Sequence, residues 1–263
     1  MLADARTARP AFLYDPRREM ETYRQILTPA DMGTATFHGA ICDGSNYRYW
    51  LLIERVVGCE LYTIGSVAIW QLVACWLARL HCRHLGQHEG LAQRVPLLRH
   101  DGDFYRFWLP RALQFSANSS SASLDRLRRG YEQVVERLLA LPTTFIHGDF
   151  YASNILIQET GHSVRVCPID WEMAALGPGL VDLAALIAGK WTAEEQEMFA
   201  ASYHAALPPD KPSSRETFLK ELDCCRLYLA VKWLGWSATW TPPAAQAHDW
   251  LGEALMLVDK LNL

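Results

Sequence analysis

Apolar and polar positions change their rhythm several times along this chain. Asp15-Pro16 offers an N-cap acid with proline at the first helical position, and Met20, Tyr23 and Ile26-Leu27 then recur at helical spacing until Pro29. The period next shortens to that of strands. Thr34 to Cys42 and Tyr47 to Val56 predict two strands around Asp43-Gly44-Ser45-Asn46, a good hairpin turn. The middle of the second run, Trp50-Leu51-Leu52-Ile53, is apolar without a break, as in a strand covered on both faces. Beyond Gly65 the helical period returns, with Trp70, Val73, Leu77 and Leu80 on one stripe that ends at Leu80-His81. A serine-rich loop, Ser116 to Ser123, precedes a long helix carrying Leu124, Leu127, Val134, Val135 and Leu138, which Pro142 stops. A strand-and-loop region fills about 144–170, and from Val181 onward the pattern is helical. The pattern predicts an α+β fold: a small helix-plus-hairpin piece, then a larger and mainly helical one with its loops of interest in the middle.

Composition narrows the field. Half of the 263 residues are hydrophobic and 21% are charged, a globular balance. A net charge of -4 gives no basic face for nucleic acid, so none is expected as a partner. No apolar run approaches the roughly 20 residues needed to cross a bilayer, so no membrane partner is expected either. The segment Met1 to Pro10 has no apolar core of the signal-peptide kind. Seven cysteines with no C-x-x-C pair argue against a disulfide framework or a zinc knuckle and for a reducing compartment, the cytoplasm. Arginines outnumber lysines twenty to five, and no lysine occurs before Lys190, a bias that a GC-rich genome would produce.

The chemistry concentrates in Phe145-Ile-His-Gly-Asp-Phe-Tyr-Ala-Ser-Asn-Ile-Leu-Ile157 and Val166-Cys-Pro-Ile-Asp-Trp-Glu172. Phosphoryl transfer needs a carboxylate beside the attacking hydroxyl and oxygen ligands that hold magnesium against the phosphates. Asp149 and Asn154 are five residues apart, on either side of a short loop between strands. Asp170 ends an apolar run, so its carboxylate emerges at a strand terminus. Two strands and their connection bring the three side chains to one edge. His-Gly-Asp alone would serve as an ordinary turn. The joined pattern His-Gly-Asp-x4-Asn-x15-Asp-x-Glu, followed by Gly177-Pro-Gly-x2-Asp182-Leu-Ala, is much more specific.

The run from Phe145 to Ala184 resembles the aminoglycoside phosphotransferase and choline kinase superfamily, relatives of the protein kinases. The likeness extends less specifically to Arg18-Glu19 opening a helix, to the Trp-Leu-Leu-Ile-Glu hinge strand and to the Leu-Ala-Arg-Leu-His helix end. It implies a two-lobe, protein-kinase-like fold, with a partial amino-terminal lobe over 1–57, a hinge near 54–58 and a helical carboxyl lobe over 58–263. It implies ATP and Mg2+ as cofactors and a small-molecule hydroxyl as phosphate acceptor, as in antibiotic- and metabolite-kinases, antibiotic resistance included. By the same resemblance Asp149 orients and deprotonates that hydroxyl, and Asn154 and Asp170 are magnesium ligands. His147 and Asp182 would brace the catalytic loop through its backbone, and main-chain groups near Glu54 and Val56 would meet the adenine.

Two parts of the family pattern are absent from the sequence, the glycine-rich hairpin over the phosphates and the lysine of the third strand. Glu19 stands where that lysine's glutamate partner belongs, and the eighteen residues before it contain neither glycine nor lysine. The expectation is a reduced amino-terminal lobe without its opening strands. A longer working chain, a phosphate clamp from Arg6 or Arg9, or a catalytically impaired, pseudokinase-like relative that binds a ligand or partner would each account for the gap.

Lesser signals carry two readings apiece. His81, Cys82, His84 and His88 have the residue types of a metal site, but at a helix end beside Gly86 they read as solvated histidines. Cys224-Cys225 on an apolar helix reads as core. Trp233, Trp236 and Trp240 share one helix face; packing is the default meaning and a wall of the acceptor pocket the functional one. Glu172 would meet a cationic substrate or cap a helix.

Overall fold

The computed structural model describes residues 10–116, 120–161, 163–189, 191–208, 214–236 and 248–263. Helix α1 (Pro16–Thr22) begins as its sequence demands, with Asp15 Oδ1 accepting from the Arg17 amide at 3.0 Å. It runs on through a π-helical segment, Tyr23–Leu27, into the short turn α2 (Thr28–Ala30), so Pro29 lies inside the helix rather than ending it. The wider turn accommodates a residue that has no N–H to give and whose ring crowds the carbonyl four positions back. Asp31, with φ 49°, stops the helix.

Strand β1 (Phe37–Asp43) then pairs antiparallel with β2 (Arg48–Ile53), Asp43 opposite Arg48. The turn forms as expected, with Asp43 Oδ1 accepting from the Asn46 amide at 3.2 Å. Coverage of β2 on both faces is not found. Burial alternates along it, and Trp50 and Leu52 are 61% and 50% exposed. A two-stranded ribbon with α1 against one side leaves its other side in water.

The chain continues through β3 (Cys59–Glu60), α3 (Val67–His84), α4 (His88–Arg94), β4 (Leu98–Arg99), α5 (Gly102–Phe115) and α6 (Ser121–Ala140). It then forms β5 (Thr143–Ile146), β6 (Ile155–Thr160), β7 (Ser163–Pro168) and β8 (Ala175–Pro178). The last helices are α7 (Leu180–Leu186), α8 (Ala193–Ala205), α9 (Arg215–Trp236) and α10 (Trp250–Lys260). Among the described residues the sheets are small, with orders β1-β2, β3-β6-β7 and β4-β8-β5. Helix α9 runs through the middle of the helical part, packed against α5, α6, α7 and α10. Cys224 and Cys225 lie buried on it, as expected.

The stripe of α3 is buried throughout, but the helix continues to His84. His81 and His84 are therefore core residues, 3% and 6% exposed, and not the solvated histidines that the sequence suggested. Helix α6 starts at Ser121, inside the segment expected to be a loop. Helix α5 carries Pro110 within it and left no clean apolar period to read.

Candidate active site

The site is assembled from the ends of β5, β6 and β7. The β6–β7 hairpin is antiparallel, with Ile155 opposite Pro168, so the start of β6 and the end of β7 share one edge. One step further out, the Ile169 amide donates to the Asn154 carbonyl at 2.9 Å. Ile169 is therefore the ladder partner of Asn154, and Asp170 follows directly on it at the same end of the ribbon. Asp170 is exposed and adopts φ 63°, ψ 62°, left-handed backbone that costs a non-glycine residue energy. That conformation turns the chain sharply between β7 and Trp171. Trp171 is buried under Phe145, their rings stacked 5.5 Å apart.

Asp149 comes from the loop after β5, and its backbone is fixed from behind. Asp182 near the start of α7 is fully buried and accepts from the His147 amide at 2.7 Å and the Gly148 amide at 2.9 Å. His81 Nε2 adds a third donor at 3.3 Å, and His81 Nδ1 lies 2.8 Å from the Tyr203 hydroxyl. Burial alone would raise the pKa of Asp182. The His81 hydrogen bond, the nearby His147 ring and the loop amide outweigh it and hold the carboxyl below its ordinary range. Gly148 takes φ +80°, and a Cβ there would collide with the Met173 carbonyl, so only glycine fits. The buried His147 ring bridges to the second strand. Its Nε2 donates to the Ile169 carbonyl at 2.9 Å, while Nδ1 accepts from the Asp149 amide at 3.3 Å, which fixes the tautomer.

Asn154 Nδ2 donates to the Asp149 carbonyl at 3.0 Å and lies 3.4 Å from Asp149 Oδ2. Both partners are acceptors, so the amide must turn its NH2 toward them and its Oδ1 away. The outcome is an outward amide oxygen and an exposed carboxylate on adjacent positions, with a half-buried carboxylate beside them. Hard oxygen donors of this kind fit Mg2+, which takes one or two protein ligands and completes its shell elsewhere. Among the described residues no three His, Cys, Asp or Glu side chains cluster as a metal site.

Glu19 reaches the same edge from α1, its Oε1 accepting from the Trp171 amide at 3.1 Å. Burial, opposed by that amide and reinforced by the charges of Asp170 and Glu172, pushes its carboxyl up to about 7. Glu19 and Glu172 line a cavity of about 290 Å³ with Tyr14, Met20, Tyr49 and Leu51. The Glu172 carbonyl accepts from Arg18 Nη1 at 2.7 Å; Arg18, 3% exposed, also donates to the carbonyls of Leu13 and Pro96. Arg18 therefore ties α1 to the Asp170 turn, a role that its place beside Glu19 did not reveal.

Glu54 is held at both its amide and its side chain. Its amide donates to the Thr36 carbonyl at 2.8 Å, and its carboxylate pairs with Arg165 at 2.7 and 2.8 Å. Val56 is half-buried against the core. Trp236 stacks on Trp108 with ring centroids 5.7 Å apart, and Trp233 meets Tyr151 and Trp250, so this face mixes packing with exposure. Arg6, Arg9 and Trp240 lie outside the described residues. The sequence reading missed Lys232 of α9, whose ammonium lies 3.5 Å from Asp149 Oδ1. Its signal was there to read: a lone lysine within the apolar run Leu227 to Leu234.

The sequence model of the phosphotransferase enzyme family matches residues 5–217 of the chain, which belongs to that family. The fold agrees. The chain is similar to the GDP complex of aminoglycoside 2'-phosphotransferase-IIIa, at 14% identity, over 93% of this chain and 81% of that one, with a TM-score of 0.63. It is similar to a choline/ethanolamine kinase family protein from Mesorhizobium loti, at 16% identity, over 94% and 78%, with a TM-score of 0.59. It is also similar to an aminoglycoside phosphotransferase from Streptomyces rimosus in complex with ADP and streptomycin, at 20% identity, over 82% and 84%, with a TM-score of 0.52. Among curated proteins no match is found. The fold is protein-kinase-like, α+β, with a small amino-terminal lobe and a large helical carboxyl lobe.

Proposed function

We propose that the chain transfers the terminal phosphoryl group of ATP to a hydroxyl of a small molecule, with Asp149 as the carboxylate beside that hydroxyl. The observation that carries the reading is Asn154 bonded to Asp149 on a loop braced by Asp182, with Asp170 one residue past the ladder partner of Asn154. Family membership and solved neighbours holding ADP or GDP support a nucleotide as donor. Chemistry of this kind asks little covalent work of a protein and depends on placement and charge.

The residues divide the work. Asp149 orients the acceptor hydroxyl and takes its proton as the new P–O bond forms, the nucleoside diphosphate departing on the opposite side. Asn154 Oδ1 and the Asp170 carboxylate would hold Mg2+, which supplies charge neutralisation for the phosphates when bound. The lobes divide near 54–58, and the Glu54 carbonyl and Val56 serve the adenine, since the Glu54 amide is already committed to Thr36. Glu172 and Trp236 stand nearest the acceptor's path.

A second reading, a relative that binds nucleotide without turning it over, is favoured by one observation. The Glu19 carboxylate meets the Trp171 backbone amide where the family's ion pair would be. One experiment separates the two. Purified protein, given Mg2+ with ATP or GTP and a panel of aminoglycoside, choline and ethanolamine acceptors, should release ADP or GDP and a phosphorylated acceptor. Asp149→Ala should lower turnover by roughly 10²–10⁴-fold with nucleotide affinity unchanged. Substantial turnover left in Asp149→Ala would remove Asp149 from its role, and nucleotide binding with no transfer to any acceptor would favour the second reading.

A further inference from the structure

The catalytic carboxylate has a cation beside it that comes from elsewhere in the chain. Between His147 and Val164 there is no lysine or arginine, so the loop itself brings no positive charge to Asp149. Lys232, 84 residues beyond Gly148, does so from near the carboxyl end of α9. Its side chain is 3% exposed, yet its ammonium lies 3.5 Å from Asp149 Oδ1 and donates to the Gly148 carbonyl at 3.3 Å. The remaining flank is the face of Trp236, 5.5 Å from Nζ to the ring centroid. Burying an ammonium costs several kcal/mol unless partners replace its water. A carboxylate, a carbonyl and an indole face are those partners.

The geometry is unlike a saturated ion pair. Only Oδ1 faces the ammonium, at a distance longer than a tight charge-assisted bond, and 31% of the Asp149 side chain remains open to solvent. Oδ2 is approached by Asn154 Nδ2. The carboxylate is gripped at both oxygens, from α9 on one side and from the start of β6 on the other, with its plane fixed and one side open. His100 adds no competing charge nearby, since burial first, and then the Lys232 ammonium, pushes it down to about 3.

We propose that Lys232 is a positioning residue for phosphoryl transfer: through Oδ1 it fixes the rotamer of Asp149 so that the carboxylate meets the acceptor hydroxyl. The role in transfer rests on the function proposed above; the orientation of Asp149 does not. A purely structural alternative would have Lys232 do no more than pin α9 to the loop through the Gly148 carbonyl.

Lys232→Met keeps the apolar stem and removes the charge, and Lys232→Arg keeps the charge. Crystal structures of both variants, with kinetics, make the test. In Lys232→Met the Asp149 carboxylate should leave its place beside Asn154 Nδ2, while the His147 and Gly148 amides remain on Asp182. The kcat should fall by ~10²-fold with KM for the nucleotide within about twofold, since misplacing a reacting group by about 1 Å has that effect. Lys232→Arg should recover part of the kcat. The proposal is overturned if Asp149 keeps its orientation in Lys232→Met, or if kcat stays within about twofold of wild type. It is overturned equally if Met and Arg lower kcat and melting temperature alike, the mark of a structural pin. Reorientation of Asp149 in a protein whose wild type transfers no phosphate would sink the function proposed above and leave the positioning of Asp149 standing.

Discussion

Asp182 shows how much of the site depends on one buried side chain. Its two oxygens accept from the amides of His147 and Gly148 and from His81, and no water reaches them. Asp182→Asn turns an NH2 toward donors and leaves at least one of them without an acceptor. Such a loss costs ~1–3 kcal/mol for a neutral group and more for a charged one, so a loss of ~3 kcal/mol is expected in urea unfolding. Stability within about 0.5 kcal/mol of wild type would show that the loop is held some other way. At this scale much was legible. His147, Asp149, Asn154, Asp170 and Asp182 all fall on short motifs, because each is anchored by neighbours close in sequence or by a strand edge. Arg18 and Lys232 were not legible in the same way. Their partners are 154 and 84 residues away, and nothing local says which carbonyl or carboxylate a buried cation will meet.

An arginine ties the base of the hairpin to the β6–β7 ribbon. Arg165 of β7 pairs with the Glu54 carboxylate and donates to the carbonyls of Gly33 and Thr34. The Arg165 hydrogen bonds, helped by the Thr36 amide, pull the Glu54 carboxyl from 4.5 down to about 2. A depressed carboxyl contributes stability that is fully present above its unfolded value and is lost as pH falls through its folded one. Arg165→Gln should therefore cost ~1–2 kcal/mol at pH 7, modest because both partners remain partly hydrated, and the gap from wild type should close between about pH 4.5 and 2. A gap that persists undiminished at pH 2 would assign the effect to packing. Among the elements, the hairpin turn, the α3 stripe and the β6–β7 edge were readable from period and turn chemistry. Helix α5 was not, since Pro110 sits inside it. The cover expected over β2 was wrong, because an apolar run does not say whether a second layer exists to meet it.

Across the molecule, two arginines help to tie α1 and the hairpin to the rest of the chain. Arg18 is tied to the Glu172 carbonyl and Arg165 to Glu54. Asn154 bonded to Asp149, with Asp170 just beyond the ladder partner of Asn154, is the basis for proposing a phosphotransferase that acts on a small hydroxyl compound. The two-part layout followed from where helical and strand periods alternate, and the resemblance supplied the kinase-like arrangement; small strands such as β3 and β4, two residues each, carry no period to read. The sharpest test is anomalous X-ray diffraction from crystals grown with Mn2+ and a non-hydrolysable ATP analogue. A manganese peak is expected roughly 2.0–2.3 Å from Asn154 Oδ1 and from an Asp170 oxygen, with the terminal phosphate turned toward Asp149. A manganese peak away from both residues, or a nucleotide bound at another surface, would contradict the assignment.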